Sequence, residues 1–279
     1  MGEVFQAERV ALVGCGAIGS MLIDAIKTGR LPRIRLTAIA VRRRDIRTQA
    51  FADQGDCPLV DNPAALIDTN PEVVVEAASQ QAVADYGPAV LDAGLDLLIA
   101  SVGVLGNDNF RGYLVALAKR NGCRVLFPSG AIGGLDALQA AASSAGLDDV
   151  LVVTRKHPRA FSNEHDGHAR EEDRSLLAPA VLFVGSAREA VTRYPKTLNV
   201  AAAVSLAGIG FDRTRVEVIA DPEIDRTRHE VFARGPSCNL VLRFESSPHP
   251  DNPGTSMLAA MSVLSTVANL NTAHVLKAL

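Results

Sequence analysis

Apolar positions along this chain fall into short runs separated by stretches with helical spacing. Residues 10–13 (Val-Ala-Leu-Val) form a run closed by glycines, and residues 17–26 continue with apolar side chains three and four apart. Further runs at 36–41, 73–77, 96–100 and 124–128 read as strands, with helical stretches at 82–93 and 110–121 between them. Alternating strands and helices imply right-handed crossovers and a parallel sheet. The third to fifth runs are apolar without alternation, as strands covered on both faces must be.

The pattern changes after the glycines at 130–134. Residues 137–145 still predict a helix, but 150–156 and 180–186 read as strands of another sheet. Residues 191–207 predict one helix rich in small residues, and 256–278 a long final helix returning to the first unit. Between them, 215–221, 228–234 and 239–245 follow one another with turns and no helix, which argues for a separate, largely antiparallel sheet. The expected fold class is therefore α/β: an N-terminal Rossmann domain with a parallel sheet, plus a second α+β domain with a largely antiparallel sheet. The expected division is residues 1–132 with 256–279, and 133–255. The charged stretch 162–175, with His165 and His168, reads as a surface loop.

Composition narrows the partners. A net charge of -3 gives no field to draw in nucleic acid or an acidic membrane. No apolar stretch is long and unbroken enough to span a bilayer, and the first residues lack the apolar core of a signal peptide. Four dispersed cysteines, with no Cys-x-x-Cys pair, suggest neither a disulfide framework nor a zinc site. A reducing cytoplasm, a small-molecule substrate and no metal are expected.

The first chemistry-bearing motif is Gly14-Cys15-Gly16-Ala17-Ile18-Gly19, a G-x-G-x-x-G directly after a predicted strand and opening a predicted helix. Gly14 makes the tight turn, Gly16 lets backbone approach a pyrophosphate, and Gly19 lets helix and strand pack closely. The helix N-terminus, with Ala17 and Ile18, offers N–H groups to the phosphates. After the second strand come Arg42, Arg43 and Arg44, where an acid would hold the ribose of NAD. Guanidiniums there suit the 2′-phosphate of NADP. NADP is thus favoured, with NAD kept open by Asp45. Cys15 has no base within sequence reach and is not read as a nucleophile.

Several segments resemble the L-aspartate dehydrogenase family, a relative of homoserine dehydrogenase and dihydrodipicolinate reductase. They are Val74-Val75-Glu76-Ala77-Ala78-Ser79, Ser101-Val102-Gly103, Pro128-Ser129-Gly130-Ala131-Ile132, Thr154-Arg155-Lys156, Tyr194-Pro195-Lys196-Thr197-Leu198-Asn199-Val200-Ala201-Ala202, and Asp221 followed by His229-Glu230. The similarity runs in order over essentially the whole chain. It implies reversible oxidation of L-aspartate to iminosuccinate, which hydrolyses to oxaloacetate and ammonia. It also implies that His229 is catalytic, that Ala131 and Asn199 touch the cofactor, and that the second-domain sheet forms a homodimer. Ala78 is placed at the cofactor by the same resemblance.

These residue types suit that chemistry. The cofactor carries the redox step, and imidazole titrates near neutrality, so His229 serves either amine deprotonation or activation of water. A substrate with two carboxylates needs cations, for which Lys156 and Lys196 are the candidates, with Arg155 also in the matched segments. His157 is a second choice for proton transfer, and Asn199 also reads as a cap for the following helix. Two other functions remain open from sequence: a related dehydrogenase acting on a different amino acid, and a non-catalytic dinucleotide sensor.

Overall fold

The computed structural model describes residues 8–144, 146–161 and 177–270. Its first half builds a six-stranded, wholly parallel sheet in the order β3-β2-β1-β4-β5-β6. The strands are β1 (Glu8–Val13), β2 (Ile34–Ala40), β3 (Leu59–Val60), β4 (Val73–Glu76), β5 (Asp96–Ile99) and β6 (Val125–Leu126). The helices between them are α1 (Ala17–Lys27), α2 (Ile46–Gly55), α3 (Pro63–Ile67), α4 (Gln80–Asp92) and α5 (Asp108–Asn121). The sequence reading had no counterpart for α2, β3 and α3. Helix α2 buries only Ala52, so almost no apolar stripe marks it; its start is set by Asp45, which caps it in a reciprocal capping box with Thr48.

The strand order reverses at β1, whose Val10–Val13 pair with β2 on one side and β4 on the other. In an open parallel sheet, the loops leaving the strands at such a switch point diverge and open a crevice. The glycine motif follows β1 there, and Ala77, Ala78 and Ser79 follow β4.

The second half begins with α6 (Leu135–Ser144) and builds a five-stranded sheet in the order β11-β10-β7-β9-β8. Its strands are β7 (Asp149–Lys156), β8 (Ala180–Ser186), β9 (Thr214–Ala220), β10 (Thr227–Arg234) and β11 (Asn239–Ser246). Three of its four pairings are antiparallel, and β7 with β9 is parallel. The stretch 191–207 is not one helix. It divides into α7 (Ala187–Arg193) and α8 (Asn199–Ala207), because Pro195 disfavours helical backbone at Tyr194 and removes a donor. A small hairpin, β12 (Pro248–His249) with β13 (Asn252–Ser256), leads into α9 (Met257–Ala268). The remainder of the predicted last helix, from residue 271, lies outside the described residues, as do His165, His168 and His274.

Alternation sorts the second sheet into two faces. Val150, Val152, Val216, Val218, Val231 and Ala233 are fully or almost fully buried and join one continuous core with Leu138, Ala201 and Val204 of the helices. Helix α9 instead packs on the first sheet. Its Val263 and Val267 share a core with Leu12, Leu22 and Ile23. Among the described residues no helix is long and apolar enough to cross a membrane.

Candidate active site

The glycine motif has the shape its spacing implies. Gly14 adopts φ +93°, and a Cβ there would stand 2.7 Å from the Ala78 methyl, so this turn and the β4 loop are in direct contact. A Cβ on Gly19 would come within 2.2 Å of the Gly14 carbonyl oxygen, which is the close approach that lets α1 begin at once. Gly16 is different: a Cβ there would meet nothing within 4 Å. Its surroundings are open, as backbone lying along a pyrophosphate requires. The residues present therefore fit a dinucleotide, with Gly14, Gly16, Ala17, Ile18, Gly19 and Ala78 gathered at the crevice.

Glu76 holds this crevice together from inside. The last residue of β4, it is fully buried, and its Oε1 accepts from the backbone N–H groups of Ala78 (2.7 Å) and Ser79 (2.8 Å) and from the Ser101 hydroxyl (2.9 Å). Its Oε2 accepts from Ser101 N–H at 3.0 Å. Burial pushes the carboxyl up from its ordinary value, and the four donors pull against it. The loops after β4 and β5 are thus tied to one side chain. Its signal in the sequence is an acid that ends a three-valine strand.

A second pocket lies between the two sheets and α9. Ile18, Ala131, Lys156, Lys196, Asn199 and His229 all line it, together with Ser129, Thr197 and Thr255; its cavity volume is about 70 Å³. His229 is 2 % exposed, and its Nδ1 lies 3.0 Å from Thr154 Oγ1. Burial, with the nearby Lys156 charge adding to it, holds the imidazole down to about 3, so it is neutral at ordinary pH. Lys156 is 3 % exposed and donates to the carbonyls of Gly254 (2.9 Å) and Thr197 (3.4 Å). Lys196 is exposed and stands on the same pocket.

Asn199 does not cap its own helix. Leu198 occupies the cap position, and Asn199 Oδ1 accepts from Gly103 N–H at 2.9 Å, across to the loop after β5. Gln80 makes a parallel link, its Nε2 donating to the Pro195 carbonyl at 3.1 Å. Arg155 is not part of the pocket. It sits between Thr154 and Lys156 on β7, faces the other side of the sheet and pairs with Asp221 at 2.8 Å. Burial alone would raise the Asp221 carboxyl, but Glu223 N–H and the Arg155 guanidinium outweigh it and hold it below the usual range. His157 turns away too: its Nδ1 accepts from Arg159 N–H, and it lines a different cleft with Arg226 and Pro248. Arg42 and Arg43 are exposed just beyond β2. Among the described residues no group of three potential metal ligands comes together.

Comparison with known proteins finds a match for each half of the chain. The model of the homoserine dehydrogenase NAD-binding domain matches residues 14–128, and that of the aspartate dehydrogenase C-terminal region matches residues 136–270. L-aspartate dehydrogenase 2 of Bordetella pertussis is 41 % identical over 264 residues, covering 94 % of this chain and 96 % of that protein. The chain belongs to the L-aspartate dehydrogenase family. As a member of that family it is an NAD(P)-dependent amino-acid dehydrogenase. The L-aspartate dehydrogenase of Methanococcoides burtonii is 37 % identical over 275 residues, with the same coverage. The crystal structure of aspartate dehydrogenase from Thermotoga maritima superposes with a TM-score of 0.73 at 27 % identity, covering 97 % of this chain and 99 % of that one. The α/β architecture read from the sequence is thus the fold of the aspartate dehydrogenase family.

Proposed function

We propose that the chain oxidises L-aspartate to iminosuccinate, which hydrolyses to oxaloacetate and ammonia, and that it also runs the reverse reaction. The observation that carries this reading is the placement of His229 and Lys156 on one face of one sheet, in one pocket with Ala131 and Asn199. The named activity of the relatives supports the same substrate.

The nicotinamide, when bound, supplies the acceptor for a hydride leaving the substrate Cα. The rest falls to the chain. Lys156, with Lys196 at the mouth, receives the substrate carboxylates and so fixes Cα and the amine against His229. The Thr154 hydroxyl orients the His229 ring through Nδ1 and leaves Nε2 for the substrate side. Neutral His229 accepts a proton from the amine as the imine forms, or from the water that adds to the imine carbon. Ammonia then departs as the C=O of oxaloacetate forms. A carboxylate arriving beside Lys156 offsets the charge that depresses His229, which raises its basicity when substrate is present.

We assign the pyrophosphate to Gly14, Gly16, Ala17, Ile18 and Gly19, with Ala78 at the crevice wall, and the nicotinamide end to Ala131 and Asn199. NADP is the favoured cofactor, read from Arg42 and Arg43. Residues 1–132 with 256–279 serve as the dinucleotide-binding unit and 133–255 as the substrate and dimerisation unit. The dimer uses the outer face of the second sheet. There Val153 and Ile219, each 8 % exposed, belong to neither core, and Phe232, Val241, Val181 and Val184 are exposed around them. Four free cysteines suit a reducing cytoplasm.

The test is oxidation of a panel of amino acids by the purified protein with NADP and NAD. Aspartate alone, or far ahead of glutamate, alanine and homoserine, is the expected result. Preference for another amino acid would keep the site and replace the substrate, and cofactor binding with no turnover on any would leave a sensor.

A further inference from the structure

We propose that Arg47, rather than Arg44, completes with Arg42 and Arg43 the site for the 2′-phosphate of the dinucleotide. The proposal rests on the NADP reading above and deepens it. A phosphomonoester dianion presents three oxygens, and guanidinium forks meet it best in pairs or threes.

Arg44 is already committed elsewhere. It donates to the Leu59 carbonyl at 3.1 Å and stands 3.9 Å from the Asp61 carboxylate. Asp45 is committed too: its Oδ1 accepts from Thr48 N–H at 2.7 Å, its own N–H donates to Thr48 Oγ1 at 2.8 Å, and the Thr48 hydroxyl reaches back to the Arg43 carbonyl at 3.4 Å. This closed turn fixes the backbone from which Arg42 and Arg43 project, and among the described residues neither side chain has an ion pair or hydrogen bond. It also puts the acid that kept NAD open into a structural role.

Arg47 is the second residue of α2, two after its cap Asp45, and its charge is felt at that carboxylate. Its guanidinium lies 5.6 Å from the centre of the Phe51 ring, one turn along the helix. Phe51 packs on the same core cluster as Cys15 and Ile18 of the glycine motif, so the ring holds this guanidinium beside an element anchored to that core. Its charge reaches that motif, since it draws the Cys15 thiol down against the burial that raises it. Three cations thus flank the end of β2, and the helix N-terminus between them adds to the field. The exposure of the cluster suits a ligand group that stays partly in water.

The test compares adenosine 2′,5′-bisphosphate with adenosine 5′-monophosphate by titration calorimetry, using the wild type, Arg47→Gln and Arg44→Gln. The wild type should bind the bisphosphate more tightly. Arg47→Gln should lose roughly ten-fold of that affinity and keep its binding of the monophosphate, while Arg44→Gln keeps both. Wild-type bisphosphate affinity in Arg47→Gln, or an equal loss on both ligands, overturns the role of Arg47 and leaves the NADP reading standing. A wild type that does not distinguish the two ligands overturns that reading and this proposal with it.

Discussion

The Nδ1 of His229 lies 3.0 Å from the Thr154 hydroxyl because the two residues stand directly opposite each other in the β7–β10 ladder. Lys156 follows Thr154 by two residues and therefore shares its face. One antiparallel register accordingly brings a proton acceptor, its orienting hydroxyl and a buried cation into the same pocket. Replacing the imidazole should separate chemistry from binding. His229→Gln is expected to lower turnover by roughly 100-fold or more while dinucleotide affinity, read by quenching or enhancement of nicotinamide fluorescence, stays within two-fold. Retained turnover would remove His229 from the reaction.

The same burial makes His229 a source of acid sensitivity. The imidazole is held to about 3 in the folded protein against 6.5 when unperturbed. Between those values the unfolded chain binds the proton and the folded chain does not, so stability falls as pH drops from 6.5 towards 3 and this contribution is complete above 6.5. The slope approaches ~1.4 kcal/mol per pH unit within that window. Urea unfolding of wild type and His229→Gln at pH 6.5 and pH 5 should show a steeper loss in the wild type. Equal losses would mean that the ring is not held neutral.

Glu76 is expected to govern the shape of the cofactor crevice. In Glu76→Gln an NH₂ replaces one acceptor oxygen among four converging donors, which should cost about 1–3 kcal/mol of stability and weaken dinucleotide binding. Because Glu76 is placed to act on the loops and not on reacting atoms, KM for the cofactor should rise well beyond any change in kcat. A fall in thermal midpoint with unchanged cofactor KM would reduce Glu76 to a structural role.

Much of the fold was legible where one period dominated. The uniform apolar runs of β4 and β5, and the strand–glycine–helix passage into α1, left little room for another reading. Helix α2 was hidden because its information lies in a cap and not in a stripe: Asp45 and Thr48 define it, while Ile46 at its start is 91 % exposed. The division of α7 from α8 was foreshadowed by Pro195, which outweighs the helical propensity around it. In the site, the glycines were legible from their own spacing, whereas His229 was marked by the family resemblance and not by any local pattern. Thr154 as the partner of His229 was not legible, since it is set by register between strands 75 residues apart. The exclusion of Arg155 follows from alternation alone: if Thr154 and Lys156 face the pocket, the residue between them cannot.

The outer face of the second sheet should behave as an interface. Light scattering is expected to give the mass of two chains for the wild type. Val241→Glu and Phe232→Glu, which place charges on that face, should shift the mass to one chain without loss of helical signal. An unchanged dimer in both would move the interface elsewhere.

The central claim is tested most directly by the initial rate of reduced-cofactor consumption with oxaloacetate and ammonium, run in parallel with NADPH and NADH. The account predicts turnover that requires both oxaloacetate and ammonium and is faster with NADPH. Consumption of oxaloacetate without ammonium, or no turnover in protein shown to bind either cofactor, would contradict it.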